Sequence, residues 1–407
     1  MSGLPKGWVE TTLGEVAEIV MGQSPKGESY NQNGDGLPFY QGITEFTDKY
    51  VIKKTYTNKP TKIVSKNTIL FSVRAPVGKV NIVNWDACIG RGNAGLVIRN
   101  GNQDFLYFLL KSIERQIQNY TSGTVFTSIS GKELKTIPIT IPANTEEQKA
   151  IAAVLSAFDD KIELLWEQNR TLGTLAQTIF KEWFVRFNFP DKDGKPYKDN
   201  GGEMVDSELG EVPKGWRVEQ LGKELEVKRG GSPRPIKDYI SDSGYRWLKI
   251  SDATASSSPF IFDIKEHIKK EGLNKTTLLK SGSLVLSNSA TPGIPKFLMV
   301  ESCIHDGWLH FPKTSIFSYH YLYLFFKHIK EPLLQQGNGS VFKNLKTDIL
   351  KSWNMVVPDT GTIVFLNEVI SPIFEKIKNN TAQIRALSKT RDTLLPKLMS
   401  GELKVAL

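Results

Sequence analysis

At 407 residues the chain is too long for one hydrophobic core and suits two or three domains. Apolar residues make up 40% and aromatics 10%, ample for globular burial, and no apolar run approaches the roughly 18 residues that span a bilayer. A net charge of +9 and a pI near 9.2, dispersed without any Lys/Arg run, point to a polyanion partner and away from a disordered basic tail.

In chain order, the first globular part is expected over residues 1–145. It opens on Leu4-Pro-Lys-Gly-Trp8, then Gly22-Gln-Ser-Pro25. Thr68–Val73 and Lys79–Val83 read as strands, punctuated by Gly, Pro, Asn and Asp. Gln103–Tyr120 carries apolar residues at helical spacing, which makes the part α+β. A long helix follows over residues 146–188, with Leu155, Phe158, Ile162, Leu165, Asn169, Leu172, Ala176 and Ile179 as a heptad seam. Thr145 and Gln148 form a capping box at its start. Residues 189–211, with Pro190-Asp-Lys-Asp-Gly-Lys-Pro196 and Asn200-Gly-Gly202, read as a polar surface connection.

The chain then repeats itself. Val212-Pro-Lys-Gly-Trp216 and Gly230-Gly-Ser-Pro233 return at an offset of about 208, Cys303-Ile304 echoes Cys88-Ile89 at about 215, and Gly339-Ser-Val-Phe342 echoes Gly123-Thr-Val-Phe126 at about 216. Such a period exceeds the roughly 20–50 residues of a solenoid unit, so a whole domain is duplicated and a pseudo-two-fold molecule is expected. The second globular part spans residues 212–358, with a strand at Ser283–Ser287 and a helix over Ser318–Gln335. The second long helix spans residues 359–401, with a seam of Leu366, Ile370, Ile373, Ile377, Asn380, Ile384, Leu387, Arg391, Leu394 and Leu398. It lacks the capping box of the first. The two helices are expected to pair as an antiparallel coiled coil, each with a register-setting Asn; binding of outside partners by these helices is the alternative. About 39 residues at 1.5 Å each give a rod of roughly 58 Å.

Catalytic signatures are missing. No Pro-Pro dipeptide occurs, so the Asn/Asp-Pro-Pro-aromatic run of an amino-methyltransferase is absent, and no glycine-rich phosphate loop follows a strand. Pro190-Asp191 with Asp193-Gly-Lys195 imitates a nuclease motif, but its acids are too close in sequence to converge on Mg²⁺, and a turn is expected. The two cysteines occupy equivalent places in the halves, so a disulfide is not expected and the reducing cytosol is. Cys303 with His305 and His310 lacks metal-ligand spacing and reads as a strand-core cysteine.

What remains is a set of polar loops paired across the repeat, sharing glycine scaffolds while differing in side chains. In the first half the candidate DNA contacts are Ser24, Lys26, Arg74, Lys79, Arg91, Thr124 and Thr127. In the second they are Arg229, Ser232, Arg234, Asn288, Lys296, Ser340, Lys343 and Asn344. The same frame with different letters is what two sequence readers require.

Pro-Lys-Gly-Trp, Gly-x-Ser-Pro, the Pro-rich strand Ile137-Pro-Ile-Thr-Ile-Pro142 and Glu147-Gln148 opening a long helix, largely in duplicate, resemble the DNA-specificity subunit of type I restriction-modification systems. The second copy departs where Glu-Gln would open its helix. The resemblance implies two target-recognition domains alternating with two helical regions, a bipartite double-stranded DNA target, and two modification (methyltransferase) subunits with restriction subunits as partners. It implies a cytoplasmic, non-catalytic chain off the membrane, with S-adenosylmethionine, ATP and Mg carried by the partners and none bound here. An orphan enzyme, and a coiled-coil scaffold with two heads for non-DNA ligands, are the rival readings.

Overall fold

The computed structural model describes residues 4–122, 128–335 and 344–406. The chain divides into two units, residues 1–162 with 386–407, and residues 163–385. Each is α+β, as expected.

In the first unit, Trp8 N donates to Pro5 O at 3.0 Å across a turn whose Gly7 has φ 86°. That left-handed conformation is open to glycine at little cost, which explains the Pro-Lys-Gly-Trp signature. The turn feeds the strand Trp8–Thr12, which pairs antiparallel with Pro138–Pro142 and so ties the start of the globular part to its end. A four-stranded antiparallel sheet follows in the order Ala17–Met21, Asn93–Ile98, Ile69–Ser72, Val80–Ile82. Its Ile69, Phe71, Ala94 and Leu96 pack with Phe105, Leu106 and Phe108 of the helix Gln103–Ser112. The single helix expected over 103–120 is two, Gln103–Ser112 and Glu114–Ser122, separated at Ile113. A second sheet of short strands places Phe39–Tyr40 parallel to Cys88–Ile89.

The second unit repeats this plan. Trp216 N donates to Pro213 O at 3.0 Å over Gly215 at φ 89°. Arg217–Gln220 pairs with Asn354–Val357. Leu225–Arg229, Trp308–Thr314, Leu284–Ser287, Pro295–Leu298 and Phe260–Ile261 form the larger sheet, against the helix Tyr319–Gln335. In the second sheet Trp247–Leu248 runs parallel to Cys303–Ile304. Cys88 and Cys303 are both free and buried at equivalent strands, and burial pushes the Cys303 thiol up to about 11.

The long helices run Thr145–Phe184 and Thr360–Met399. Within the first unit, Ile151, Ala152 and Leu155 pack with Leu398 and Met399, while Asp159 meets Arg391 at 2.6 Å. Within the second, Asn169 meets Asn380 and Trp183 meets Phe365 with ring centroids 5.2 Å apart. In both units the partner residue number falls as the first helix advances, so the pairing is antiparallel. None of the described helices is long and apolar enough to cross a membrane.

Two local expectations need correction, at the first helix cap and in the stretch 189–211. Asn144, not Thr145, caps the first helix: its Oδ1 accepts from Glu146 N at 2.9 Å. Gln148 turns away from the cap to donate to Pro142 O and accept from Asn100 Nδ2, both at 2.8 Å. At the second helix Asp359 takes the capping role, accepting from Thr362 N at 3.0 Å and from Trp216 Nε1 at 3.1 Å. The stretch 189–211 is also more than a surface connection. The first helix ends at Phe184, Phe187 adopts φ 62°, and Phe189 enters the core of the second unit, stacked on Trp216 and Tyr197. The nuclease-like Asp191 closes its own turn instead, accepting from Asp193 N and Lys195 N at 2.9 Å each.

Candidate nucleic-acid interface

The glycine-serine loop of each unit lies hard against a strand end. Gly22 N donates to Asn93 O at 3.0 Å, and a Cβ there would stand 2.2 Å from Gly90 O. Gly230 N donates to Trp308 O at 2.9 Å, and a Cβ there would stand 2.4 Å from His305 O. Only glycine permits that approach, which seats the next serine in the same place twice. Ser24 Oγ accepts from Arg91 N at 3.1 Å and donates to Gln41 Oε1 at 2.8 Å. Ser232 Oγ accepts from Asp306 N at 3.4 Å and donates to the Asp306 carboxylate at 2.7 Å. Positions 91 and 306 are therefore equivalent, and so are Gly90 and His305.

The exposed side chains on this shared frame differ. In the first unit Lys26 and Arg91 are exposed. In the second, Arg234 Nη2 lies 3.2 Å from Asp306 Oδ2, and Arg229 Nε donates to Asp306 O. The Ser232 hydroxyl, with Arg229 and Arg234, holds the Asp306 carboxyl below the ordinary aspartate range. Burial pulls the His305 imidazole down, and its Nδ1 accepts from Gly307 N at 2.8 Å, which leaves Nε2 to carry any proton.

The turns Ala75-Pro-Val-Gly78 and Ala290-Thr-Pro-Gly293 are closed by the same pair of serine bonds, though Ala75-Pro76 is cis and Ala290 has φ 59°. Ser72 Oγ donates to Pro76 O at 2.7 Å and accepts from Lys79 N at 2.9 Å. Ser287 Oγ donates to Thr291 O at 2.6 Å and accepts from Ile294 N at 2.9 Å. Arg74 bridges to Ser128 and Ser289 to Asn344. Lys79 therefore corresponds to Ile294, not to Lys296. Arg74 is exposed on its turn, whereas Lys79 pairs with Glu114 at 2.6 Å.

Lys296 is not on the loop surface. It belongs to the strand Pro295–Leu298, is 5% exposed, and donates to Ser256 O at 2.7 Å and to Ser258 O. Burial lowers its amine to about 8. Asn288 is likewise buried, at 3% exposure. Both leave the set of surface contacts. Thr124, Thr127, Ser340 and Lys343 lie outside the described residues. Sequence reasoning missed Gln41, Asp306 and His305, although the 215-residue offset already linked Arg91 to Asp306 and Gly90 to His305.

Among the described residues no group of three or more His, Cys, Asp or Glu side chains is placed to hold a metal ion. These loops present cations, amides, hydroxyls and the Asp306 carboxylate on glycine-seated frames, groups able to hydrogen-bond with phosphates and base edges.

The chain is 27% identical over 422 residues to the type I restriction enzyme MjaIX specificity subunit of Methanocaldococcus jannaschii, covering 99% of this chain and 95% of that one. It is 24% identical to the HindI specificity subunit of Haemophilus influenzae, over 84% of this chain and 88% of the relative. Its fold is similar to the crystal structure of a type I restriction-modification S subunit from M. genitalium, with a TM-score of 0.58 at 18% identity over 98% and 97% of the two chains. The family described as type I restriction modification DNA specificity domain matches residues 5–173 and again residues 213–390. The chain belongs to that family and carries its domain twice.

Proposed function

We propose that this chain reads a bipartite duplex, one half-site per globular domain, and presents adenines within the site to two modification subunits. The carrying observation is the duplicated glycine-serine frame, which holds Arg91 and Gln41 in one unit and Asp306, Arg229 and Arg234 in the other. A constant scaffold with divergent donors and acceptors suits two readers of different half-sites. Lys26, Arg74 and Arg91 in the first domain, and Arg229, Arg234 and Asn344 in the second, are the proposed DNA contacts. Ser24 and Ser232 shape the loops that carry them. Methyl transfer and cleavage belong to partner modification and restriction subunits, which hold S-adenosylmethionine, ATP and Mg²⁺.

Purified chain, S-adenosylmethionine and unmodified host DNA form the test. The chain alone transfers no methyl groups, and adding the modification subunit starts adenine methylation. Methylation by the isolated chain would overturn the assignment.

A further inference from the structure

We propose that the Asp306 carboxylate is a specificity-determining positioning group, which holds Arg234 beside Arg229, itself bonded to the main-chain oxygen of residue 306, so that the two guanidinium groups meet a guanine edge in the second half-site. This rests on the proposed DNA-reading function. The first unit supplies an internal control. There the loop closes through Ser24 Oγ and the amide of residue 91, with an arginine at the position of Asp306. There Gln41 Oε1 takes the serine hydroxyl, so the turn needs an acceptor for that hydroxyl but not a charged one at the position of Asp306.

What the carboxylate does instead is visible in its partners. Oδ1 takes the Ser232 hydroxyl at 2.7 Å, which fixes the side chain's rotation and leaves Oδ2 facing Arg234 Nη2 at 3.2 Å. The main-chain oxygen of the same residue accepts from Arg229 Nε. Among the described residues nothing bonds the two terminal nitrogens of Arg229, and that pair is the geometry that meets guanine O6 and N7 together. Arg234 is 78% exposed along its side chain and would otherwise sample many rotamers, so tethering it lowers the ordering cost of binding. A negative charge beside the two arginines also penalises indiscriminate phosphate binding, which favours sequence over backbone.

The test uses the full chain assembled with its modification subunit to select from a pool of random-sequence duplexes. Wild type should yield a motif of two separated clusters. With Asp306→Asn, preference at one position of one cluster should fall from about tenfold or more to about twofold. Binding to unselected duplex should tighten, with its log-log salt slope steeper by about one. Arg229→Lys, a surface change that keeps charge but loses the fork, should relax the same position, whereas Arg91→Ala should alter only the other cluster. An unchanged motif for Asp306→Asn would overturn the proposal, whatever Arg229→Lys does. So would uniform weakening across all positions, the signature of a scaffold residue. Absence of any motif with wild type would instead strike the DNA-reading function itself.

Discussion

Asn380 donates from its side-chain Nδ2 to Asn169 Oδ1 at 3.0 Å, inside a helix seam made mainly of leucine and isoleucine. Asn169 passes the bond on to Thr381 Oγ1 at 3.3 Å, and Asn380 is only 2% exposed. A one-residue slip of either helix would bury these amides without partners, so the pair sets register. Asn169→Ala should cost about 1–3 kcal/mol, because it removes the shorter, buried bond of the Asn380 amide and leaves it only Gln168 Oε1 at 3.3 Å. Replacing both residues by Leu should recover much of that loss while relaxing helix register. Urea denaturation of the single and double variants measures this, and a double variant no better than the single would argue against it.

A second lock, in the first unit, is ionic. Asp159, 5% exposed, meets Arg391 Nη1 at 2.6 Å and lies 3.7 Å from Lys49 Nζ. Burial opposes the Lys49 charge, but Tyr50, Asp159, Asp104 and Asp160 together hold its amine above the ordinary value. Asp159→Ala removes the buried anion between two cations and leaves Arg391 only the exposed Asp392 at 2.8 Å and Lys49 only the exposed Asp160 at 3.9 Å, so it should cost up to about 3–5 kcal/mol, whereas replacing Asp159, Arg391 and Lys49 together by apolar residues should cost far less. The thermal midpoints of the two variants compare them.

Lys296 gives a pH dependence of known sign. Its folded-state amine, at about 8, lies below the ordinary lysine value, so the unfolded chain binds more protons between about pH 8 and 10.5. This group therefore penalises folding below pH 8, and stability should rise with pH through that window by up to about 3 kcal/mol relative to Lys296→Met. Denaturation midpoints of the two proteins at pH 7.5 and 10 check the slope. Parallel curves would show that the two carbonyls stabilise the ammonium fully.

Arg74 is exposed on its turn, and Lys79 is half-exposed in a surface ion pair with Glu114. Arg74→Ala should cost about 1–3 kcal/mol of DNA binding and relax one target position, whereas Lys79→Ala should change affinity little, since its charge is already partnered. Titrations of both variants over a salt series separate a base contact from a phosphate contact.

Much of this was legible in the sequence. The duplication, the two long helices and the seam asparagines are periodic signals, and periodicity survives without knowledge of partners. The reading failed where a residue's role depends on distant neighbours. Lys296 resembles a loop cation until the strand Pro295–Leu298 is seen to be buried throughout. Lys79 finds Glu114 on a separate helix. Asn144 displaces Thr145 as cap because Gln148 is drawn to Asn100 and Pro142. Asp306 carries no signal of its own in the sequence, because an acid in a loop of cations does not read as a DNA contact until its carboxylate is placed against Arg234 and its main-chain oxygen against Arg229.

The most direct test of two independent readers exchanges residues 1–145 for the equivalent domain of another specificity subunit, followed by base-resolved mapping of methylated adenines with the modification subunit present. One half of the methylated motif should change to that of the donor while the other half stays as in wild type. A change in both halves, or in neither, would contradict one half-site per domain.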